Sequence, residues 1–360
     1  FRSFYAFSKG GEGGLTTKEG FPTSVTYGFL KSLLENCKAL SPQGVIIAFD
    51  TPEPTFRHKA DSNYKANRDI APPHFFQDLA ELQNILEKDL NLSTCSASST
   101  NTLNQECYEA DDVLGTLANQ ASKNGWKVRI LTGDRDLFQL VDDSDDIAVL
   151  YMGGGPYAKS SSPLFINESG VNEKLGVEPK KVVDLKALTG DSSDNIPGVK
   201  GVGPKTAINL IKENETLDGV YSSLDELEIK GEDSKKGCLK GALKLKLKND
   251  KENAYLSKEL ARIITNVPIK IFPEMNLKGI NSKYLKESLI KLELNSLVRQ
   301  IESFEATFSP GGYNYNNKEI KSNNNPKIYK VNDSSEDINP LINTDIPSIE
   351  PQIISNLDDL

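Results

Sequence analysis

Val45-Ile46-Ile47-Ala48-Phe49-Asp50 is the stretch on which the fold turns. Five apolar residues, three of them β-branched, follow a Pro42/Gly44 turn signal and stop at an acid. A short run without polar alternation is covered on both faces, as in a parallel sheet. Val128-Arg129-Ile130-Leu131 and Ile147-Ala148-Val149-Leu150-Tyr151 are runs of similar character. Between them, Phe76 to Leu90 and Ala110 to Lys123 carry helical periodicity. Strands alternating with helices predict an α/β fold with a parallel sheet over residues 1–165. Residues 166–305 read as mostly helical, with Leu239, Leu243 and Leu247 at helical spacing beside Lys240, Lys244 and Lys248. Residues 306–360 are rich in Asn, Ser and Pro and are expected to be a flexible linker to a further domain. Ser93 to Gln105 is expected to be an exposed loop.

Composition narrows the chemistry. The 360 residues are 37% hydrophobic, enough for a core, and no run approaches the roughly 18 apolar residues of a membrane span. The chain opens on Phe1, in mid-pattern, and is read as a fragment. Cys37, Cys95, Cys107 and Cys238 show no paired spacing, which predicts neither a zinc site nor a disulfide framework and fits a reducing, cytoplasmic setting. His58 and His74 are the only histidines, so polar chemistry falls to carboxylates. The net charge of −9 is unusual for a nucleic-acid-binding protein, but it conceals basic patches. Arg57, His58, Lys59, Lys65 and Arg68 surround a single acid, Asp61, and seven lysines lie between Lys235 and Lys251 beside Asp250.

The acids gather where an α/β sheet places its sites. Asp50 ends one strand, and Asp134 and Asp136 follow another; ligand sites of open parallel sheets form beyond these carboxyl ends. Glu109, Asp111 and Asp112 open a helix, where acids also favour the macrodipole. Asp191 and Asp194 lie in Thr189-Gly190-Asp191-Ser192-Ser193-Asp194-Asn195, which alone reads equally well as a polar turn. Clustered carboxylates repel one another unless cations offset the charge. Hard divalent ions such as Mg²⁺ take oxygen ligands, and two of them can activate water and hold the leaving oxygen of a phosphodiester.

Gly198-Val199-Lys200-Gly201-Val202-Gly203-Pro204-Lys205-Thr206 falls short of a nucleotide-binding loop, because Pro204 displaces the lysine and no apolar strand precedes it. A glycine turn between two helices, the second starting near Pro204, fits better and can hold a DNA backbone through its amides. Phe56-Arg57-His58, Tyr64-Lys65 and Arg68 interleave cations with aromatics, as surfaces for unpaired strands do.

In this order, Phe49-Asp50, Phe56-Arg57-His58, Tyr64-Lys65, Tyr108-Glu109-Ala110-Asp111-Asp112, Leu131-Thr132-Gly133-Asp134-Arg135-Asp136, Thr189 to Asn195 and Gly198 to Gly203 closely resemble the 5′-3′ exonuclease (flap endonuclease) domain of bacterial DNA polymerase I, over about residues 1–305. The resemblance implies a PIN-like 5′-nuclease core, a helical arch and a helix-hairpin-helix subdomain. It implies that Asp50, Glu109, Asp111, Asp112, Asp134, Asp136, Asp191 and Asp194 hold two Mg²⁺ ions, with Mn²⁺ as a substitute. Asp111, Asp112, Asp134 and Asp136 would serve one ion or both, and Asp191 and Asp194 the other. Asp50, Lys65 and Arg57 would be catalytic, with Lys65 polarising the scissile phosphate. Arg57, Tyr64, Lys65 and Arg68 would belong to a mobile arch around the 5′ strand, with His58 also binding DNA, and Lys200, Gly201, Gly203, Lys205 and Thr206 would grip duplex DNA. The expected substrates are 5′ flaps, nicks, duplex ends and RNA primers, cut by a monomer at the bacterial nucleoid.

The departures are two. Family members carry a strand ending in Asp-Gly ahead of the segment that Phe1 to Ala6 resembles, so a central strand and a metal-site aspartate are expected to be missing, with loss of stability and activity. Gln105-Glu106-Cys107 replaces the usual Pro-Gly approach to Glu109. The alternative functions are a branched-DNA binder that no longer cuts and a small RNase of the same sheet type.

Overall fold

The structure, a computed structural model, describes residues 14–51, 53–96, 108–153, 163–230, 239–269, 274–310 and 351–354. In chain order the first part contains α1 (Ser24–Leu40), β1 (Gly44–Phe49), α2 (Phe56–Ala60), α3 (Pro73–Asn84), β2 (Ser93–Ser96), α4 (Ala110–Lys123), β3 (Val128–Thr132), β4 (Ile147–Tyr151) and β5 (Leu164–Ile166). The helices α5 (Glu168–Leu175), α6 (Val182–Thr189), α7 (Pro204–Asn214), α8 (Leu217–Lys230), α9 (Ala242–Asn249), α10 (Lys251–Ala261), α11 (Ser282–Lys291), α12 (Asn295–Val298) and α13 (Ile301–Thr307) follow, and then β6 (Pro351–Ile354).

The strands form one sheet in the order β2-β1-β6-β3-β4-β5, parallel except for the β4–β5 pair. Alternation along β1 explains the two-sided cover. Val45, Ile47 and Phe49 pack with Leu30, Leu33 and Phe75 of α1 and α3, whereas Ile46 and Ala48 pack with Val113, Leu114 and Leu117 of α4. All six β1 residues are buried, as the unbroken apolar run requires.

Three expectations need correction. Ser93–Ser96 is a strand rather than the start of a loop: β2 is a sheet edge bonded to β1 alone, so its polar composition carries little penalty. Pro351–Ile354, expected within the flexible linker, lies between β1 and β3, with Ile353 in register with Ile46 and Ile130. The helical unit expected over 166–305 is also divided. Leu285, Leu289 and Phe304 of α11 and α13 pack on the α1 face, and Leu277 N donates to Gln43 O, tying that segment to the start of β1. Residues 1–13, 97–107, 311–350 and 355–360 lie outside the described residues, and with them the readings on Phe1 to Ala6, Gln105 to Cys107 and most of the linker. Among the described residues no helix is long and apolar enough to cross a membrane.

Candidate metal centre and nucleic-acid surface

The carboxyl edge of the sheet collects the acids. Asp50, just past β1, accepts a hydrogen bond of 2.6 Å from Ala110 N and so caps α4. Asp134 follows β3; its N–H donates to Thr132 Oγ1, and its Oδ1 accepts from Asp136 N at 2.6 Å, a local turn that holds both aspartates at the edge. Asp111 stands in the first turn of α4, and its Oδ1 is buried without a hydrogen-bond partner.

Burial, and next the charge of Asp134, holds the Asp111 carboxyl well above the usual carboxylate range. Burial and Asp134 likewise push Asp136 up to about 7. Two aspartates that resist ionisation, each beside Asp134 and one with an orphaned oxygen, are groups whose negative charge wants a cation. Among the described residues no three such side chains already surround a common point closely enough to hold an ion. The donor set is nevertheless all oxygen, the chemistry of a hard divalent ion, and several cations of the chain occupy the acids instead.

Four cations divide the cluster among themselves. The Lys65 ammonium is 3.2 Å from Glu109 Oε2, which also accepts a bond from the Tyr64 hydroxyl. Burial, the largest influence, would by itself lower the Lys65 pKa, but Glu109, Tyr64 and Asp194 together outweigh it and the net shift is upward. Burial works against ionised Glu109 too, yet Lys65 and Arg57 carry it below the usual range. Arg68 Nη2 lies 2.7 Å from Asp194 Oδ1. Lys186, on α6, contacts Asp136 and sits 2.6 Å from Asp191 Oδ2. Asp191 is less buried than Asp136 and gains Ser193 as a further donor, so Lys186 prevails over desolvation and draws it down to about 2.

The fourth pair corrects two expectations. Arg57 was expected on a mobile arch touching DNA and Asp112 among the metal ligands. Instead Arg57 is 2% exposed and Asp112 wholly buried. Arg57 donates to both Asp112 oxygens at 2.7 and 2.8 Å, and to the carbonyls of Leu260 at 2.9 Å and Arg262 at 2.7 Å. Asp112 also accepts from Glu109 N and Ile264 N. Four donors commit its oxygens to the protein, which makes the pair an internal strut joining α2 and α4 to the chain beyond α10.

The basic segment is docked rather than extended. Lys65 N donates to Asp194 O, Asn67 Nδ2 to Ser192 O, and Asn195 Nδ2 to Asn63 O. Tyr64 is buried, while Lys65 and Arg68 are half-buried, Arg68 at the wall of the cleft. His58 hydrogen-bonds through Nδ1 to Thr55 and meets Tyr64 edge-on; burial lowers its pKa. Asp134, Asp136, Lys186, Asp191, Asp194 and Arg68 line a cleft of 960 Å³.

The glycine turn joins α6 to α7 as expected. Gly198 has φ +61°, and a Cβ there would fall 2.2 Å from Gly190 N. The turn is pinned by Gly198 N to Ser257 Oγ of α10 and by Lys200 N to Asp250 Oδ2. Lys246 donates to Gly201 O. Lys200, Gly201, Gly203 and Lys205 are exposed and Thr206 half-buried, on the approach to the α7 N-terminus.

A parallel sheet with acids at its carboxyl edge and a glycine hairpin beside it defines a nuclease-type class of fold, and comparison places the chain within that class. Residues 1–176 match the family model of the 5′-3′ exonuclease N-terminal resolvase-like domain, and residues 177–283 that of the 5′-3′ exonuclease C-terminal SAM fold. The chain belongs to the 5′-3′ exonuclease family. It is 43% identical over 347 residues to DNA polymerase I of Synechocystis sp., covering 94% of this chain and 33% of that protein. Against the thermostable DNA polymerase I of Thermus filiformis it is 38% identical over 301 residues, covering 83% of this chain and 32% of the other. The chain thus spans about a third of the length of these relatives. Among solved structures, T5 5′-exonuclease with bound zinc aligns with TM-score 0.51 at 18% identity, over 78% of this chain and 91% of the other. The catalytic core of Rad2 with a DNA substrate aligns with TM-score 0.51 at 17% identity, over 80% and 87%. Both share the fold.

Lys186 escaped the sequence reading. Its one signal was a lone lysine inside the apolar pattern Val182-Val183-Asp184-Leu185-Lys186-Ala187-Leu188, five residues before Asp191.

Proposed function

We propose that this chain hydrolyses DNA phosphodiesters at 5′ ends and 5′ flaps, using two divalent cations held at the carboxyl edge of its sheet. The observation that carries this reading is the meeting of Asp134, Asp136, Asp191 and Asp194 around one cleft, with Asp111, its Oδ1 buried and orphaned, feeling the charge of Asp134 from behind it. Asp111, Asp134 and Asp136 would hold one ion, and Asp191 and Asp194 the other, with Mg²⁺ as the physiological ion and Mn²⁺ as a substitute. Bound ions of this kind polarise the phosphate and lower the pKa of the attacking water.

The chain's own residues do the rest. Asp50 fixes the start of α4 and with it the position of Asp111. Lys65, half-buried and paired with Glu109, would turn its ammonium towards a scissile phosphate. Arg68 would lie along the 5′ strand. The first turn of α7, with Lys200 and Lys205, would hold the phosphates of a downstream duplex without reading its sequence. The substrates this arrangement suits are 5′ flaps, nicks, duplex ends and RNA primers. The setting would be replication and repair at the bacterial nucleoid, as a monomeric nuclease region of a polymerase I-type protein.

A 5′-labelled flap duplex incubated with Mg²⁺ tests the reading, with Asp134→Ala as control. Short labelled products from the wild type, absent in Asp134→Ala, are expected. A folded protein that binds the flap and releases no product in either form would overturn the hydrolytic reading and leave a branched-DNA binder.

A further inference from the structure

Lys65 holds Glu109 and Arg68 holds Asp194, while Arg57 pairs with Asp112 and lies 3.5 Å from Glu109, two acids of one helix start. Lys186 differs, because its ammonium bridges two acids brought from separate elements, Asp136 after β3 and Asp191 after α6. All three side chains are largely buried, with 18%, 14% and 21% exposed. The lysine is anchored on α6, whose Val182, Leu185 and Leu188 lie in the core, while its head reaches the cleft. An ammonium presents one positive charge on a flexible four-carbon stem, so it can leave a site that a planar, bidentate guanidinium would hold.

We propose that Lys186 is a resident counter-cation of the metal centre. In the metal-free protein it stands between Asp136 and Asp191, and a divalent ion entering on that side displaces it towards the open cleft. Lys186 thereby sets the affinity of the second, weaker ion, while the side of Asp111 and its orphaned oxygen takes the first. This rests on the two-ion reading above. Lys186 acts as a positioning residue, since its role is to keep two ligands together and to yield them.

The test is a Mn²⁺ titration of the full 360-residue chain followed by electron paramagnetic resonance, with thermal melts in chelator and in Mn²⁺. The wild type should bind in two classes. Lys186→Gln should tighten the weaker class by about tenfold or more, because a charge competing at contact distance is gone. It should melt lower than wild type in chelator and recover in Mn²⁺, whereas a purely structural lysine would leave the same deficit in both conditions. Lys186→Arg keeps the charge in a form harder to displace and should loosen the weaker class several-fold. Unchanged isotherms in both variants would overturn the proposal, and so would an unchanged isotherm in the arginine variant alone if the glutamine variant does not fold. A wild type that binds a single ion would instead defeat the two-ion reading, and its isotherm tells that failure apart.

Discussion

Arg57→Met provides the sharpest test of the internal strut. The substitution keeps an unbranched side chain of similar length and removes the guanidinium. Asp112 is then left wholly buried with only its two backbone donors, Glu109 N and Ile264 N, and the carbonyls of Leu260 and Arg262 lose their side-chain donor. Removing one partner of a buried ion pair costs about 3–5 kcal/mol, because the remaining charge stays desolvated. For a domain of this size each kcal/mol moves Tm by roughly 2–4 °C, so the melting point should fall by about 6–20 °C. Arg57→Met/Asp112→Leu removes both charges and should recover much of the loss, a coupling that a double-mutant cycle reads directly. The assay is differential scanning calorimetry in chelator, with flap affinity measured well below the melting point. If Arg57 were a mobile DNA contact, Tm would hardly move and flap affinity would fall instead; that outcome would refute the strut.

Other outcomes follow from the same geometry. Lys65→Ala should slow flap cleavage by about a hundredfold or more in single-turnover assays while leaving flap affinity nearly intact, since its proposed charge acts on the scissile phosphate; equal loss of affinity would place it in binding alone. Gly198→Ala forces a Cβ towards Gly190 N at 2.2 Å in a left-handed backbone and should cost about 1–3 kcal/mol or more, read as a lower Tm and weaker duplex binding. Asp136 is raised from 3.8 to about 7 in the fold, so below that pH protons compete with the ion and Mn²⁺ affinity should fall by up to about tenfold per pH unit, flattening above it. The same shift has a stability sign. The contribution of protonated Asp136 is fully present below its unfolded value and is lost as pH rises through about 7, so the chelated protein should lose melting temperature between these limits. Calorimetry across that range with flat melting points would remove the assignment.

How much of this was legible in the sequence differs element by element. β1, β3 and β4 could be read because strands buried on both faces must be apolar throughout. β2 could not, because an edge strand tolerates Ser and Thr, and β6 could not, because its Gln352-Ile353-Ile354 core is outweighed by the polar residues around it. The placing of Asp50, Asp134 and Asp136 at the carboxyl edge followed from where strands end. The partition of charge did not. Arg57 and Asp112 are 55 residues apart, and nothing local marks one as the other's partner. The sequence reading therefore assigned both to the cleft, with the other cations and acids. Lys186 was missed for the opposite reason: a lysine in an apolar helix suggests an exposed position, and only the tertiary fold brings Asp136 to meet it.

α10 touches both working parts of the molecule. Its Ser257 hydroxyl receives Gly198 N of the glycine turn, and at its far end Leu260 O receives Arg57, whose other bonds fix Asp112 at the base of the acid-bearing helix α4. About one helical turn of rise separates these contacts, a length that thermal motion scarcely alters. If the glycine turn grips the duplex as proposed, this helix is a ruler. The cut would fall at a constant number of nucleotides from the junction whatever the length of the flap, and one product size would dominate.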